Sequence, residues 1–443
     1  MYPITLSACD IANFIKDGSL TAEETVKAFL AVIEEREPSV DAWTFLNADY
    51  VLSQAREADR VRREGRPLGP LHGVPVGLKD IIDTADMPTE NGSILHAGRR
   101  PTEDATVVSL LRRAGAIIMG KTVTTEFAYY APGKTKNPHN PAHTPGGSSS
   151  GSAAAVAARM VPLAVGTQTN GSVIRPASFC GVVGYKPTHG RISRHRVWHQ
   201  SWHLDQIGVF AHEVEDAALI AQELMAFDGR DPNMHPFARI SLREKAATVR
   251  SKPPRFAFVK SPVWSRADEE MRAGFTALIN RMGNVVDEVT LPALFEDGVQ
   301  FHRWIMEGDF ALSFADLYGR SRNSLSQVLV EAIERGREVR AHEYNRAVES
   351  IAILNDALDQ IFEDYDAILT PASPGPAPRG LDTTGNPIFC TIWTLCGVPA
   401  VTLPLLKGAN GLPMGVQVVA GKGQDGRLLR TAAWLEAHLG STL

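Results

Sequence analysis

Between residues 73 and 168 short apolar runs alternate with helical patterns, and this alternation confines the chain to a narrow class of folds. "GVPVGLKDI" is an apolar run ending near Lys79. "ATVVSLLRRAG" has helical spacing and stops at Gly115. "AIIMGKT" is a second apolar run, "SAAAVAARM" a second helix and "PLAVGTQT" a third run. A short run without a polar face reads as a strand covered on both sides. Strands of that kind, alternating with helices, build a sheet with helices packed against it. The expected fold class is α/β: a single large, twisted, mixed and largely parallel β-sheet core flanked by helices.

The flanks fit the same picture. "LTAEETVKAFLAVIEERE" has helical spacing and opens on a capping box, Thr21 with Glu24. Residues 296–362 read as mostly helical, with Ala347, Ile351, Leu354, Leu358 and Ile361 in an apolar stripe at three- and four-residue steps. "DAILTP", "PAVTLPL" and "MGVQVVAG" return to strands, and "GRLLRTAAWLEAHL" is a final helix. No linker, low-complexity tract or repeat divides the sequence, so one domain is expected over residues 1–443. Its expected parts are an N-terminal helical part (1–65), a core of alternating strands and helices (66–227), a helical segment (228–362), and C-terminal strands and helix completing the sheet (363–443).

Composition excludes some function classes. A formal net charge of −5 leaves no electrostatic footprint for nucleic acid or an anionic membrane. The longest apolar run, "AAAVAARMVPLAVG", is broken by Arg159 and Pro162, too short a stretch to span a bilayer. "MYPITLSACDIANFIKDG" has no leader pattern. Cys9, Cys180, Cys390 and Cys396 lack CxxC spacing and fit reduced thiols. The expected setting is cytoplasmic.

Three short motifs need care. "GAIIMGKT" (residues 115–122) satisfies GxxxxGK[ST], but its apolar run falls where a P-loop needs exposed backbone. "GSSSG" (147–151) satisfies GxSxG, yet "NPHNPAHTP" before it cannot be the strand of a nucleophile elbow. His195, His199 and His203 recur every four residues without an acidic partner, in a segment of doubtful helicity, so no metal site is expected.

"TPGGSSSGSAAAVAA" (144–158) is different. It looks like a flexible linker, but a linker is not followed at once by an apolar helix. A Gly/Ser loop feeding a helix can present backbone N–H groups or hold hydroxyls in fixed positions. A second such cluster, "GTQTNGSVIRPASFCG" (166–181), follows a strand and contains Ser172. Lys79 interrupts an apolar segment, where an ammonium is costly unless it is paired or neutral. A neutral buried lysine is a general base, and two serines with such a lysine suffice for acyl transfer. On spacing alone Lys79 is equally well a surface residue at a strand end.

These segments resemble the amidase signature family. The matching stretches are "GVPVGLKD", "DTADMPT", "EDATVVSLLRRAGAIIMGKTVTTEFA", "NPHNPAHTPGGSSSGSAAAVAA", "GTQTNGSVIRPASFCGVVGYKPT", "LDQIGVFAHEVEDAA", "ILTPASPGPAP" and the region from "GVPAVTLPL" to "TAAWLE". The likeness weakens between about residues 228 and 362. The resemblance implies a Ser–cisSer–Lys triad: Lys79 as base, Ser148 as bridging serine after a cis peptide bond, and Ser172 as nucleophile. The serines stand 24 positions apart, as is usual in the family. It further implies an oxyanion hole from the N–H groups of Thr169, Asn170, Gly171 and Ser172, and neither metal nor organic cofactor. Ser149 and Ser150 are expected to support the loop or cap the helix.

The sequence departs from the family pattern at "QTNGSVIR". Asn170 replaces a common glycine; asparagine tolerates positive φ, and its amide could face substrate or bond locally. Gln168 stands where many members have Asp. Arg175 falls one place later than the usual arginine, and the wording is similar to malonamidase-type members. This makes Arg175 a candidate for binding a substrate carboxylate; a structural ion pair is the alternative. Tyr129, Tyr130, Asn170, Gln168, Arg175 and Trp393 are the expected substrate contacts, with Trp198, Trp202 and Phe389 as further aromatic candidates. The expected activity is hydrolysis of small or aryl amides, with carbamate (urethane) and ester bonds open to the same route. The alternative is the amidase component of a tRNA-dependent amidotransferase, although such components usually resemble "DTGGSIR". The expected partners are a small-molecule amide or carbamate, with no nucleic acid and no membrane, on a monomer or homodimer.

Overall fold

The computed structural model describes residues 2–248 and 252–440. Its strands are β1 (Trp43–Leu46), β2 (Pro75–Lys79), β3 (Ile117–Thr122), β4 (Leu163–Gln168), β5 (Val183–Lys186), β6 (Gln206–Ala211), β7 (Phe256–Val259), β8 (Val286–Val289), β9 (Ala367–Pro371), β10 (Ala400–Lys407) and β11 (Pro413–Val419). They form one sheet in the order β1-β3-β2-β4-β6-β5-β10-β11-β9-β7-β8. The expected single mixed sheet flanked by helices is therefore present. Its parallel pairing is confined to two arms. β3-β2-β4 is parallel at one end and β9-β7-β8 at the other, while the strands between them pair antiparallel. The β3-β2-β4 arm is the alternating segment that predicted parallel pairing, the β9-β7-β8 arm lies outside it, and antiparallel strands β6, β5, β10 and β11 join the two.

Strands β2, β3 and β4 are buried along their whole length, as runs without a polar face require. Thr21 and Glu24 form the reciprocal capping box that starts the helix Ala22–Val40. The helices Thr106–Arg113 and Ser150–Ala157 occupy the other expected positions. All four cysteines are buried and free. The segment expected to be helical over 228–362 also contains β7 and β8, whose four-residue length gave no readable period. Its helices Gly298–Ser313, Gln327–Glu338 and Ala341–Asp364 pack with Ile388–Leu395 around a second apolar core that includes Phe301, Ile305, Phe310, Leu329, Ile333 and Leu354. That helical layer sits over the end of the sheet where β2 and β4 terminate, and it walls the site described next.

Candidate active site

Lys79 is the last residue of β2, which lies between β3 and β4. The strand is hydrogen-bonded to both neighbours, and Lys79 at its end is fully buried. Its Nζ lies 2.7 Å from Ser148 Oγ and 2.7 Å from Thr167 Oγ1. Burial holds the amine well below the ordinary lysine value, opposed by the negative charge of Asp205. Both neighbours of Nζ are hydroxyls, which donate or accept, so a neutral amine fits without leaving an orphan.

Ser148 follows a cis peptide bond from Gly147. A Cβ on Gly147 would come 2.8 Å from Thr384 Cγ2 and 3.1 Å from Thr125 Cγ2, so only glycine fits. The next serines fasten the loop to the sheet. Ser149 Oγ donates to Thr167 O at 3.1 Å and accepts from Thr167 N at 3.2 Å. Ser150 Oγ donates to Val123 O, and Ser152 Oγ to Val165 O. Support rather than capping is their role: Ser149 precedes the helix Ser150–Ala157 without a side-chain cap bond.

Ser172 lies between β4 and the helix Ile174–Cys180, 7% exposed, its hydroxyl without a partner among the described residues. The two loops are tied together: Arg175 Nη2 donates to Gly147 O at 2.6 Å and to Thr384 Oγ1 at 3.1 Å. No N–H of Asn170, Gly171 or Ser172 meets an acceptor among the described residues. The expectation of positive φ at Asn170 does not hold; neither it nor Gly171 adopts one. Gly171 is needed for space, since a Cβ would come 2.8 Å from Pro387 Cβ.

A cavity of about 920 Å³ lies beside this loop with Asn170 in its wall, lined also by Tyr129, Tyr130, His302, Met306 and Thr391 among others; Lys79, Ser148 and Ser172 are not among its lining residues. Tyr129 and Tyr130 pack against each other with ring centroids 4.4 Å apart. Asn170 points its amide into this wall, donating to Tyr130 Oη at 3.2 Å and accepting from Thr391 Oγ1 at 2.8 Å. Other expected contacts lie elsewhere. Gln168 is buried, with Oε1 accepting from Val173 N and Ile174 N and Nε2 donating to Thr394 Oγ1. Trp393 and Phe389 are core residues of the helix Ile388–Leu395. Arg175 is buried behind the loop and absent from the cavity wall, with its Nε and Nη1 unpartnered among the described residues. Trp198 and Trp202 line a separate cavity of about 360 Å³.

Residues the sequence did not single out complete the surroundings. Asp205 accepts from Thr169 Oγ1 at 2.6 Å and from the N–H groups of Gln200 and Ser201. His302 Nε2 lies 2.9 Å from Thr169 O, and Thr394 Oγ1 donates to Asn170 O at 2.5 Å. Thr167 and Asp205 fall inside the quoted stretches, but nothing in their spacing marks them. The discarded motifs resolve structurally: residues 117–122 of the P-loop-like pattern are β3, and His195, His199 and His203 share no helix. Among the described residues no helix is long and apolar enough to cross a membrane.

Comparison with known proteins gives the family. The amidase family model matches residues 24–429. A glutamyl-tRNA(Gln) amidotransferase subunit from Rhodopirellula baltica is 34% identical, over 96% of this chain and 94% of that protein. The Pseudomonas fluorescens protein of the same name is 34% identical, over 98% and 96%. Among solved structures, one from "an unexpected vestigial protein complex" tied to the origins of an s-triazine catabolic enzyme matches with TM-score 0.92, at 26% identity over 99% of this chain and 100% of that one. Peptide amidase from Stenotrophomonas maltophilia matches at 0.85, with 29% identity over 98% and 97%. The curated relatives are named as one component of a multi-subunit enzyme of glutamyl-tRNA(Gln), and this overturns the expectation of a monomer or homodimer whose sole partner is a small molecule, with no nucleic acid involved. A hydrolase of C–N bonds is the activity common to these findings, and the chain belongs to the amidase family.

Proposed function

We propose that the chain cleaves a carboxamide through a serine acyl-enzyme, as the amidase component of an assembly of the amidotransferase type. The observation that carries the chemistry is the fully buried Lys79 amine, 2.7 Å from the Ser148 hydroxyl, on a loop tied to the one bearing Ser172. Ser172 Oγ attacks the carbonyl carbon while its proton passes to Ser148, whose own proton passes to Lys79. Serine is too weakly acidic to attack at neutral pH without such a relay. The carbonyl oxygen, now negative, is met by the unpaired N–H groups of Asn170, Gly171 and Ser172. Proton return along the relay gives the leaving nitrogen its hydrogen, the C–N bond breaks, and water hydrolyses the Ser172 ester. In the assembly, the released ammonia passes to a partner that modifies an aminoacyl-tRNA. Support for this role comes from relatives 32–34% identical over nearly the whole chain.

A second reading has its own support. The cavity of about 920 Å³ is roomier than a glutamine side chain needs, and Tyr129, Tyr130, Val299, Met306 and Ile388 give it an apolar wall. Larger acyl groups, aryl amides and carbamates suit such a space, while Arg175, buried and bonded to Gly147 O, is not placed to bind a substrate carboxylate. One panel decides between the readings: glutamine, asparagine, short aliphatic amides, malonamate-like acids, anilides and carbamates, assayed with and without any chain that copurifies. Ammonia release from glutamine, raised by a copurifying chain, supports the amidotransferase role. Turnover of anilides or carbamates without glutamine supports the second. Ser172→Ala is expected to lower every activity on the order of 10⁴-fold or more, with mass spectrometry locating the acyl group on Ser172 in the parent protein. Retained turnover in that variant would place the nucleophile elsewhere.

A further inference from the structure

An oxyanion hole works only if its N–H groups point at one place, and three such groups stand in an irregular loop with no ladder to direct them. The planarity of the peptide bond supplies a direction. In a trans peptide the C=O and the following N–H point to opposite sides of the chain, so a bond that pins a carbonyl also aims the N–H sharing its peptide group. Gly147–Ser148 is the cis bond found among the described residues, so the peptides of residues 169–172 are trans.

Each relevant carbonyl is pinned. Thr169 O is held by His302 Nε2 at 2.9 Å, Asn170 O by Thr394 Oγ1 at 2.5 Å, and Gly171 O by Arg175 N at 2.9 Å. Their peptide partners are the N–H groups of Asn170, Gly171 and Ser172, the three that lack acceptors. The last pin is ordinary helical bonding. The first two come from side chains far away in sequence, on the helices Gly298–Ser313 and Ile388–Leu395.

We propose that His302 and Thr394 are positioning residues which aim the Asn170 and Gly171 N–H groups at the oxyanion by holding the opposite ends of their peptide groups. The proposal rests on the serine acyl-enzyme reading above.

The hydrogen inventory fits one assignment. Thr169 O can only accept, so His302 Nε2 carries the hydrogen; burial pushes the imidazole down to about 4, leaving it neutral. Thr394 has one hydroxyl hydrogen. Gln168 Oε1 is taken by Val173 N and Ile174 N, so its Nε2 end faces Thr394 Oγ1 as a donor. The threonine hydrogen is thereby left for Asn170 O. Gln168 acts through Thr394, which gives a glutamine a purpose at that position: a carboxylate there could not donate.

The test uses the fastest amide of the panel and the full chain with any copurifying partner. Thr394→Val and His302→Leu remove the pins while keeping approximate volume. Each is expected to lower kcat about 10- to 100-fold with KM within about twofold, because a misaimed donor weakens the transition state and not the bound substrate. Thr394→Ser and His302→Gln restore a donor and are expected to recover most of kcat. Affinity for phenylboronic acid, which forms a tetrahedral adduct on serine, is expected to fall in step with kcat. The proposal is overturned if kcat is unchanged, if the loss lies in KM, or if the donor-restoring variants are as impaired as the apolar ones. Activity retained in Ser172→Ala identifies a different failure, that of the acyl-enzyme reading itself.

Discussion

Lys79 and Lys186 stand at equivalent places, each the last residue of a strand in the same sheet and each fully buried. Burial drives both amines down, Lys186 to about 7 and Lys79 well below its ordinary value. Their partners differ in kind. Lys186 Nζ donates to Val398 O at 2.5 Å, Gln206 Oε1 at 2.7 Å and Pro187 O at 3.4 Å. All three are acceptors that cannot donate, and a neutral amine has only two hydrogens. Losing its proton would orphan a buried oxygen, so this site retains the ammonium and uses it as a fastener between β5, β6 and the segment before β10. Lys79 meets two hydroxyls instead, and its proton can leave without orphaning anything. On the proposed mechanism, a buried lysine can serve as a base or as a rivet according to whether its neighbours can donate.

The largest expected effects come from removing each amine. Lys79→Met is expected to lower kcat about 10²- to 10⁴-fold, the range for a general base, without loss of stability. The sign follows from linkage. The folded-state value of Lys79 lies below the unfolded value of about 10.4, so folding at neutral pH costs free energy. That cost shrinks as pH rises toward the unfolded value. The variant should therefore melt at or above the parent temperature near pH 7, with the difference narrowing at high pH. Lys186→Met is expected to do the reverse: to cost about 2–4 kcal/mol by leaving buried acceptors unpaired, and to leave the pH–rate profile alone. Denaturant melts and rate profiles on both variants check the pair; equal behaviour would erase the distinction.

Next in size is Thr167→Val, which keeps the β-branched shape and takes away one of the two hydroxyls at Lys79. The amine then retains Ser148 alone, and its orientation loosens. Loss of one net hydrogen bond, about 1 kcal/mol, predicts a fall in kcat/KM of about three- to tenfold with the melting temperature little changed. A variant as inactive as Lys79→Met would mean that Thr167 belongs to the relay rather than steadying it.

How much of this was legible depended on sequence distance. Lys79, Ser148 and Ser172 lie in the segment where strand, loop and helix follow one another, so local pattern marked their surroundings and the resemblance to the family singled them out. Lys186, in "VGYKP", carries the same local signal as Lys79, an isolated cation ending an apolar run, and residue spacing could not tell base from rivet. The discriminating neighbours of Lys186 include Val398, 212 residues away. His302 and Thr394 reach the loop from 133 and 224 residues away, which no local periodicity encodes. Trp393 misled for the complementary reason. Its aromatic character suggested a pocket, while its place on the apolar face of the helix Ile388–Leu395 sends it into the core and leaves Thr394 to face the loop.

The finest distinction concerns the field at Lys79. Asp205 is the charged group that opposes burial there, and it is itself held by Thr169 Oγ1, Gln200 N and Ser201 N. Removing its negative charge by Asp205→Asn takes away the one influence that favours the protonated amine. The folded-state value of Lys79 then falls further, and the neutral base persists to lower pH. The acid limb of kcat/KM should move to lower pH, with the plateau reduced less than in Thr167→Val. His199 Nδ1 lies 3.7 Å from the same carboxylate, so His199→Gln serves as the control. An acid limb that shifts equally in both variants reports the histidine, and one that moves upward in Asp205→Asn assigns the titration to a group other than Lys79. A downward shift in Asp205→Asn alone, beside an unchanged profile in Lys186→Met, ties the rate to Lys79, whose hydroxyl neighbours allow it to lose a proton.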